Sequence, residues 1–360
     1  MIAFSSRLNP SCSHPKAALA LSLVVLFSSR SGALDAVERQ LQFSTYFDSN
    51  VREDLASPIP SAGLTLRGRL SGRWQRPSLE FSADLLGQTV VDIAIAAESK
   101  LLIDAGIGAG YSITGALLVS GRVNHFQKAL YAGAGSYAWT DLESNVLFTP
   151  TPRFRLRLGY SYRRKTLEAT QRLRFGEDIL ELTGRYDLNP HSFIESGLIG
   201  SNVIHRDFSA LEVAGDSLLI PLAVPQEDRG LEGWLHVRRG GRAIVGLQIG
   251  IGEVRSNSVI GGYTKISARA YLSGQLRRTT FYHLDIRLIN KAYAFPNVVG
   301  ESRYRDPEEP LQNMAHIRLE RALNIRSIVY IQVSRLQNET SFNQRYYDKT
   351  MLEVGVKLGL

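Results

Sequence analysis

The chain has 360 residues, with 42 Lys+Arg against 34 Asp+Glu and a formal net charge of +8. Its one Cys excludes a disulfide framework and a Cys-based zinc site, and no window reaches the roughly 18 apolar residues that a membrane helix needs. Aromatic and branched residues run through the whole chain, which excludes intrinsic disorder, and 31 Gly with 15 Tyr and 14 Phe point toward strands.

Residues 1–33 carry Arg7, Lys16 and Arg30 and no acid. Ala17–Phe27 is an eleven-residue apolar run, and the polar stretch after it places Ser31 and Ala33 at −3 and −1 of a cut before Leu34. A basic start, an apolar run of this length and a small-residue site predict a Sec-type signal peptide over 1–33. The alternative is a short buried helix. Cys12 precedes the apolar run, so it is not a lipoprotein cysteine and leaves with the signal. Losing three bases and no acid lowers the charge from +8 to +5. A cysteine-free exported chain suits the periplasm or outer membrane of a Gram-negative bacterium, where stray thiols are oxidised.

From residue 40 onward, apolar and polar residues alternate with period 2. In Leu64–Trp74, Leu64, Leu66, Gly68, Leu70, Gly72 and Trp74 oppose Thr65, Arg67, Arg69, Ser71 and Arg73. The same holds in 154–163, 266–275, 282–291 and 352–360. A soluble sandwich also alternates. Strands of ten residues or more, Arg on the polar face and connectors alternating between short and long favour a membrane barrel instead.

Short turns are expected at 75–77, 112–115, 150–152, 189–190, 239–241, 277–278 and 323–325, and longer connectors at 49–62, 88–99, 165–171, 207–230, 294–310 and 338–346. The longest internal one, 207–230, is the candidate for a loop folded into the lumen. The result is one domain over 34–360: an all-β, transmembrane, up-and-down antiparallel β-barrel of about sixteen strands. The count becomes fourteen if 88–99 and 131–149 hold less strand.

The C-terminal run Glu353-Val354-Gly355-Val356-Lys357-Leu358-Gly359-Leu360 fits polar-x-Gly-x-x-apolar-x-apolar. It resembles the β-signal that the outer-membrane assembly machinery reads on the last strand of its substrates. Glu353, Gly355, Leu358 and Leu360 are its assembly-signal residues, although the family more often ends in Phe or Trp. At the other end, Tyr46-Phe47-Asp48-Ser49-Asn50-Val51 resembles the Tyr-Asp-x-Asn-Val stretch of porin-like barrels, some associated with exopolysaccharide export. Asp and Asn are also ordinary residues at a strand exit. The resemblance implies a Gram-negative outer-membrane barrel, porin-like, in contact with outer-membrane lipid.

On the polar faces, thirteen bases stand against eight acids. Arg67, Arg69, Arg155, Arg157, Arg269, Arg287 and Arg318 are the candidate lumen residues, because an Arg facing lipid at mid-depth is costly and rings of Arg favour anions. The alternative is a closed lumen filled by Arg–acid pairs. Phe148, Phe154, Phe193, Phe281 and Tyr282 at one end, and Tyr263, Tyr293, Tyr346 and Tyr347 at the other, fit interfacial girdles.

Enzyme and cofactor signatures are poor. Gly106–Gly110 is glycine-rich, but no helix follows it to cradle a phosphate. His283 and Asp285 share one strand face near Arg287 and lack a Ser partner in the sequence pattern. Bases interleaved with apolar residues argue against nucleic acid. The expectation is a non-enzymatic channel with an anion-leaning lumen, passing an anionic solute or polysaccharide. A closed structural or polymer-binding barrel is the alternative, and a barrel-embedded hydrolase the third reading.

Overall fold

The computed structural model describes residues 36–51, 58–131, 136–168, 172–214, 218–259, 261–293, 313–337 and 348–360. The signal segment, all of 294–310, and 338–347 with Tyr346 and Tyr347 lie outside them. Sixteen strands follow one another: β1 Ala36–Asp48, β2 Ser61–Gln75, β3 Leu79–Asp92, β4 Lys100–Thr114, β5 Leu117–Leu130, β6 Ser136–Thr151, β7 Phe154–Glu168 and β8 Arg172–Asn189; then β9 Ser192–Ala214, β10 Leu218–Arg239, β11 Ala243–Ser256, β12 Tyr263–Arg277, β13 Thr280–Tyr293, β14 Asn313–Ala322, β15 Ser327–Gln337 and β16 Asp348–Gly359. Each pairs antiparallel with its chain neighbours, and β1 pairs with β16, so the sheet closes into a barrel. Closure leaves no edge strand, which an open sheet cannot achieve.

The count is therefore sixteen, and the two doubtful segments divide differently. Most of 131–149 belongs to β6, whereas β3 ends at Asp92 and a 3-10 turn at Ala96–Glu98 leads into β4. Asp92 caps that turn: its Oδ1 accepts the amides of Ala94 and Ile95 at 3.1 and 2.7 Å. Short turns fall where the pattern places them, within a few residues.

The connector 207–230 is corrected by the structure. It is not a loop but the continuation of β9 and β10, paired out to Leu218↔Ala214. Pro221 and Pro225 suggest a loop in the sequence because proline breaks a ladder. Here both sit at register irregularities of β10, where the ladder is already interrupted. The hairpin rests on the β11–β12 connector: the Leu211 amide donates to Ser258 Oγ at 3.0 Å, and Asn257 Nδ2 donates to the Pro225 carbonyl at 3.0 Å. These contacts brace it against that connector.

Alternation sorts the side chains into two faces. One carries large exposed apolar groups, such as Leu64, Ile107, Leu231, Ile251 and Ile266, each more than half exposed. In water that surface would cost about 25 cal/mol per Å²; hydrocarbon removes the cost, so this is the lipid face. Trp74, Phe81, Tyr111, Phe148, Phe154, Tyr186 and Tyr282 share it near the short turns and form the girdle at that end. Phe193, Phe281, Tyr263 and Tyr293 do not join a girdle. Their strand parity turns them inward, and Phe193 and Tyr293 are buried.

The last strand follows the same rule. Leu358 and Leu360 lie on the lipid face, whereas Glu353 and Gly355 lie on the inner face. Gly355 is thus not lipid-facing. A Cβ there would meet the Phe43 carbonyl at 2.5 Å, Tyr330 Oη at 2.6 Å and Ser44 Cβ at 2.7 Å. The missing side chain lets Tyr330 of β15 reach over β16 to β1, where Gln42 Nε2 donates to its hydroxyl at 2.6 Å. The Tyr330 hydroxyl in turn donates to Glu353 at 2.6 Å.

Two outcomes are expected. Gly355→Ala overpacks the closing seam, at a cost of about 1–3 kcal/mol, and lowers the temperature at which the refolded barrel loses its compact migration in detergent gels. Gly184→Ala, where nothing lies within 4 Å of the new Cβ, leaves that temperature unchanged. In intact cells a membrane-impermeant maleimide labels Pro60→Cys at the long-connector end. It reaches Gly115→Cys and Gly241→Cys only after the outer membrane is permeabilised; both turn positions have open space for a side chain. Labelling of Gly241→Cys on intact cells would invert this orientation.

Candidate functional site

The inner face is the polar one, and cross-strand registers place its groups opposite one another. At 4.5–5.5 Å between opposite Cβ atoms, a long base reaches an acid on the neighbouring strand or the next one. Arg155 and Arg185 both reach Asp187, at 2.6 and 2.8 Å. Arg157 meets Glu181 at 2.5 Å, and Arg269 meets Asp285 at 2.5 Å. Arg163 donates to Asp141 at 2.7 Å, Arg122 pairs with Asp84, and Lys265 meets Glu232 at 2.5 Å. Glu320 receives Lys357 at 2.9 Å and lies 2.7 Å from Arg318 Nε. The Arg318 contact is close without being a hydrogen bond, since that Nε has no partner of proper geometry. Its guanidinium stacks instead over the Tyr330 ring at 3.8 Å.

All seven candidate arginines lie on this inner face, in different settings. Arg155, Arg157, Arg269 and Arg318 are held against acids. Arg287 stands directly opposite Arg269, so two guanidiniums share the surroundings of Asp285. Arg67 donates through Nε and Nη2 to the Gln88 amide oxygen at 2.8 and 2.5 Å, with no acid at its tip. Arg69, the next inward residue on β2, is exposed and makes no ion pair among the described residues. The structure therefore separates the seven into four arginines held against acids, Arg287 beside Arg269, and a β2 pair of which Arg67 is half-buried and Arg69 exposed.

The thirteen-to-eight bias narrows once every described strand is in register. Lys100, Lys128, Lys165, Lys265, Lys291 and Lys349 join the inner bases. More acids join them, including Glu38, Asp48, Asp92, Asp104, Asp141, Glu143, Glu177, Glu195 and Asp228. Sequence reasoning missed four of these because they stand in segments that looked like connectors or were uncertain: Asp92 in 88–99, Asp141 and Glu143 in 131–149, Asp228 in 207–230. The parity of the hidden strands is the signal that finds them.

The inner aromatic groups divide in two. Tyr46, Trp234, Tyr271 and Tyr330 lie flat on the wall, each over a glycine of a neighbouring strand: Gly63, Gly197, Gly246 and Gly355. Phe126, Tyr137 and Trp139 form a separate stack near the long-connector end. The Ser partner that the sequence withheld from His283 is Ser273, whose Oγ lies 3.0 Å from His283 Nδ1 across β12–β13. Glu320 is 3.9 Å from the other ring nitrogen and already holds Lys357, which makes it a poor orienting acid for hydrolysis.

No protein-family model matches the chain, and no curated protein is similar to it. Solved structures are similar in fold at low identity. OccK2 (OpdF) of Pseudomonas aeruginosa, in complex with glucuronate, aligns at 11% identity with a TM-score of 0.50, over 92% of this chain and 100% of its own. The outer membrane protein OpdK of the same organism aligns at 10% identity and 0.50, over 91% and 100%. OmpT, an outer membrane protein of Vibrio cholerae in its trimer form, aligns at 9% and 0.50, over 90% and 99%. With its closed sixteen-strand ring, apolar outer face and charged interior, the chain has the fold of a porin-like outer-membrane β-barrel.

Proposed function

We propose that this barrel is an outer-membrane channel of a Gram-negative cell, exported by the segment 1–33 and inserted by the assembly machinery through the pattern Glu353, Gly355, Leu358 and Leu360. Its cargo is a small anion or an acidic saccharide. The observation that carries the reading is the Arg67–Arg69 pair on β2, the first half-buried and held by Gln88 and the second exposed, facing a lumen in which many other charges are paired. A guanidinium without an acid at its tip offers its N–H fork to a carboxylate, sulfate or phosphate, while a salt-bridged one does not. A barrel of this fold is solved with glucuronate, an acidic sugar, which supports the class of cargo.

A second reading rests on the pairs themselves. The ion-pair lattice around Asp187, Asp285 and Glu320 is the filling expected of a closed structural barrel whose outer rim binds surface polymer. Conductance separates the two, since a closed barrel passes no current.

The expected outcome is modest anion selectivity in planar bilayers. Arg67→Glu with Arg69→Glu moves the reversal potential toward cations. Arg155→Glu with Arg157→Glu leaves Asp187 and Glu181 without one of their bases and lowers stability as well. The preference fades as salt rises, because the Debye length falls from about 10 Å at 0.1 M to about 3 Å at 1 M. An unchanged reversal potential in the β2 double variant would assign selectivity to other residues, and absence of current in the parent would select the closed barrel.

A further inference from the structure

The short-turn end of the barrel carries bases that belong neither to the inner ion pairs nor to the β2 arginines. Seven short turns join the strands there, and five of them hold an arginine: Arg76, Arg153, Arg242, Arg278 and Arg326. All five are exposed. Arg239 at the end of β10 and Arg321 near the end of β14 add to them on the outer face. They continue the outward sets Leu235–Val237 and Ile317–Leu319, and Arg239 stands opposite outward Val245.

Acids are absent from the same surface. Among the described residues, no Asp or Glu stands in a short turn or on the outer face at this end. Glu38, Glu80, Asp187, Glu195 and Glu320 lie near it but face inward. Arg153, Arg239, Arg242, Arg278, Arg321 and Arg326 make no ion pair among the described residues. The long-connector end differs. There the outward Arg174, Arg229 and Arg255 each hold an acid, Asp207, Glu227 and Glu253, at 2.9, 2.9 and 2.8 Å.

Placement selects the partner. The guanidinium carbon of Arg76 lies 4.7 Å from the centroid of Trp74, a ring of the outer girdle. Such girdles mark the level of lipid headgroups, and long basic side chains extend from the wall to that level. The bases also run round the barrel, at the turns β2–β3, β6–β7, β10–β11, β12–β13 and β14–β15 of a closed ring. An acidic protein docked on one side would meet only some of them, whereas a lipid leaflet surrounds the wall.

We propose that this ring holds the phosphates of an anionic phospholipid leaflet around the short-turn end. The proposal goes beyond the channel reading and rests only on the chain being a membrane barrel. Each guanidinium offers its N–H fork to a phosphodiester oxygen, and a negative lipid surface attracts bases that lie within a Debye length of it.

Native mass spectrometry of the lipid retained by the refolded full-length barrel tests this, after extraction from vesicles of equal phosphatidylglycerol and phosphatidylcholine. Phosphatidylglycerol is expected to be enriched about threefold or more over phosphatidylcholine at 0.1 M salt, and to fall toward parity at 1 M. Arg153→Gln, Arg242→Gln, Arg278→Gln and Arg326→Gln together lower the enrichment by about half, and adding Arg239→Gln and Arg321→Gln abolishes it. Compact migration in detergent gels checks that each variant folds, and the salt dependence of the parent needs no variant at all. No enrichment in the parent, enrichment insensitive to salt, or enrichment unchanged in the folded variant with all six changes would overturn the lipid contact. Loss of anion selectivity in phosphatidylcholine bilayers with enrichment unchanged would assign the ring to the aqueous mouth and overturn it equally. A parent that enriches phosphatidylglycerol yet passes no current overturns the channel reading alone.

Discussion

Everything in this molecule depends on the pairing of β1 with β16. In hydrocarbon no water is present to receive an unpaired amide or carbonyl, and each such group costs several kcal/mol. Fourteen or fifteen hairpin-linked strands in a row would still leave two raw edges. Nine residues of β1, Gln40 to Asp48, lie in register with Gly359 to Met351 and remove both. Short backbone bonds extend the seam at each end, from Ser49 N to the Thr350 carbonyl and from Leu360 N to the Arg39 carbonyl. The side chains reinforce the same junction. Tyr330 can cross the last strand only because Gly355 has no Cβ, and so one phenol links β15, β16 and β1. The glycine of the C-terminal pattern thus has a physical use in the finished barrel.

Closure then decides what the two faces can be. The outer face can be apolar without aggregation only because it meets lipid, and the inner face can be charged only because it meets water or another charge. The interior answers mostly with another charge. Arg155, Arg157, Arg163 and Arg269 are each fixed by an acid on a nearby strand. Such pairs fix long side chains to acids on the same inner wall. Arg69 is one inner base that makes no ion pair among the described residues.

The long-connector end is built differently from the short-turn end. Tight turns and a band of outward aromatic residues finish one end. At the other, β9 and β10 run on as a tall hairpin braced against Asn257 and Ser258, and Asp228, buried at its root, is held by His205 at 2.8 Å and Gln226 at 3.0 Å. The aromatic stack of β5 and β6 sits at the same end.

The period-2 pattern determined the all-β class, the membrane barrel and, within a few residues, every short turn, because side-chain direction alternates strictly along a strand and each polar–apolar switch is visible locally. It also assigned Arg67, Arg69, Arg155, Arg157, Arg269, Arg287 and Arg318 to one face, since facing needs only parity. Local pattern could not tell a strand interrupted by Pro221 and Pro225 from a loop, nor see β6 behind the small residues before it. It therefore undercounted the inner acids. Which arginine meets an acid, why Gly355 must be glycine, how Ser273 comes to His283, and that Phe126 meets Trp139 were decided by the tertiary structure alone. Each depends on the register between strands, and register is set by the whole closed ring rather than by any stretch of chain.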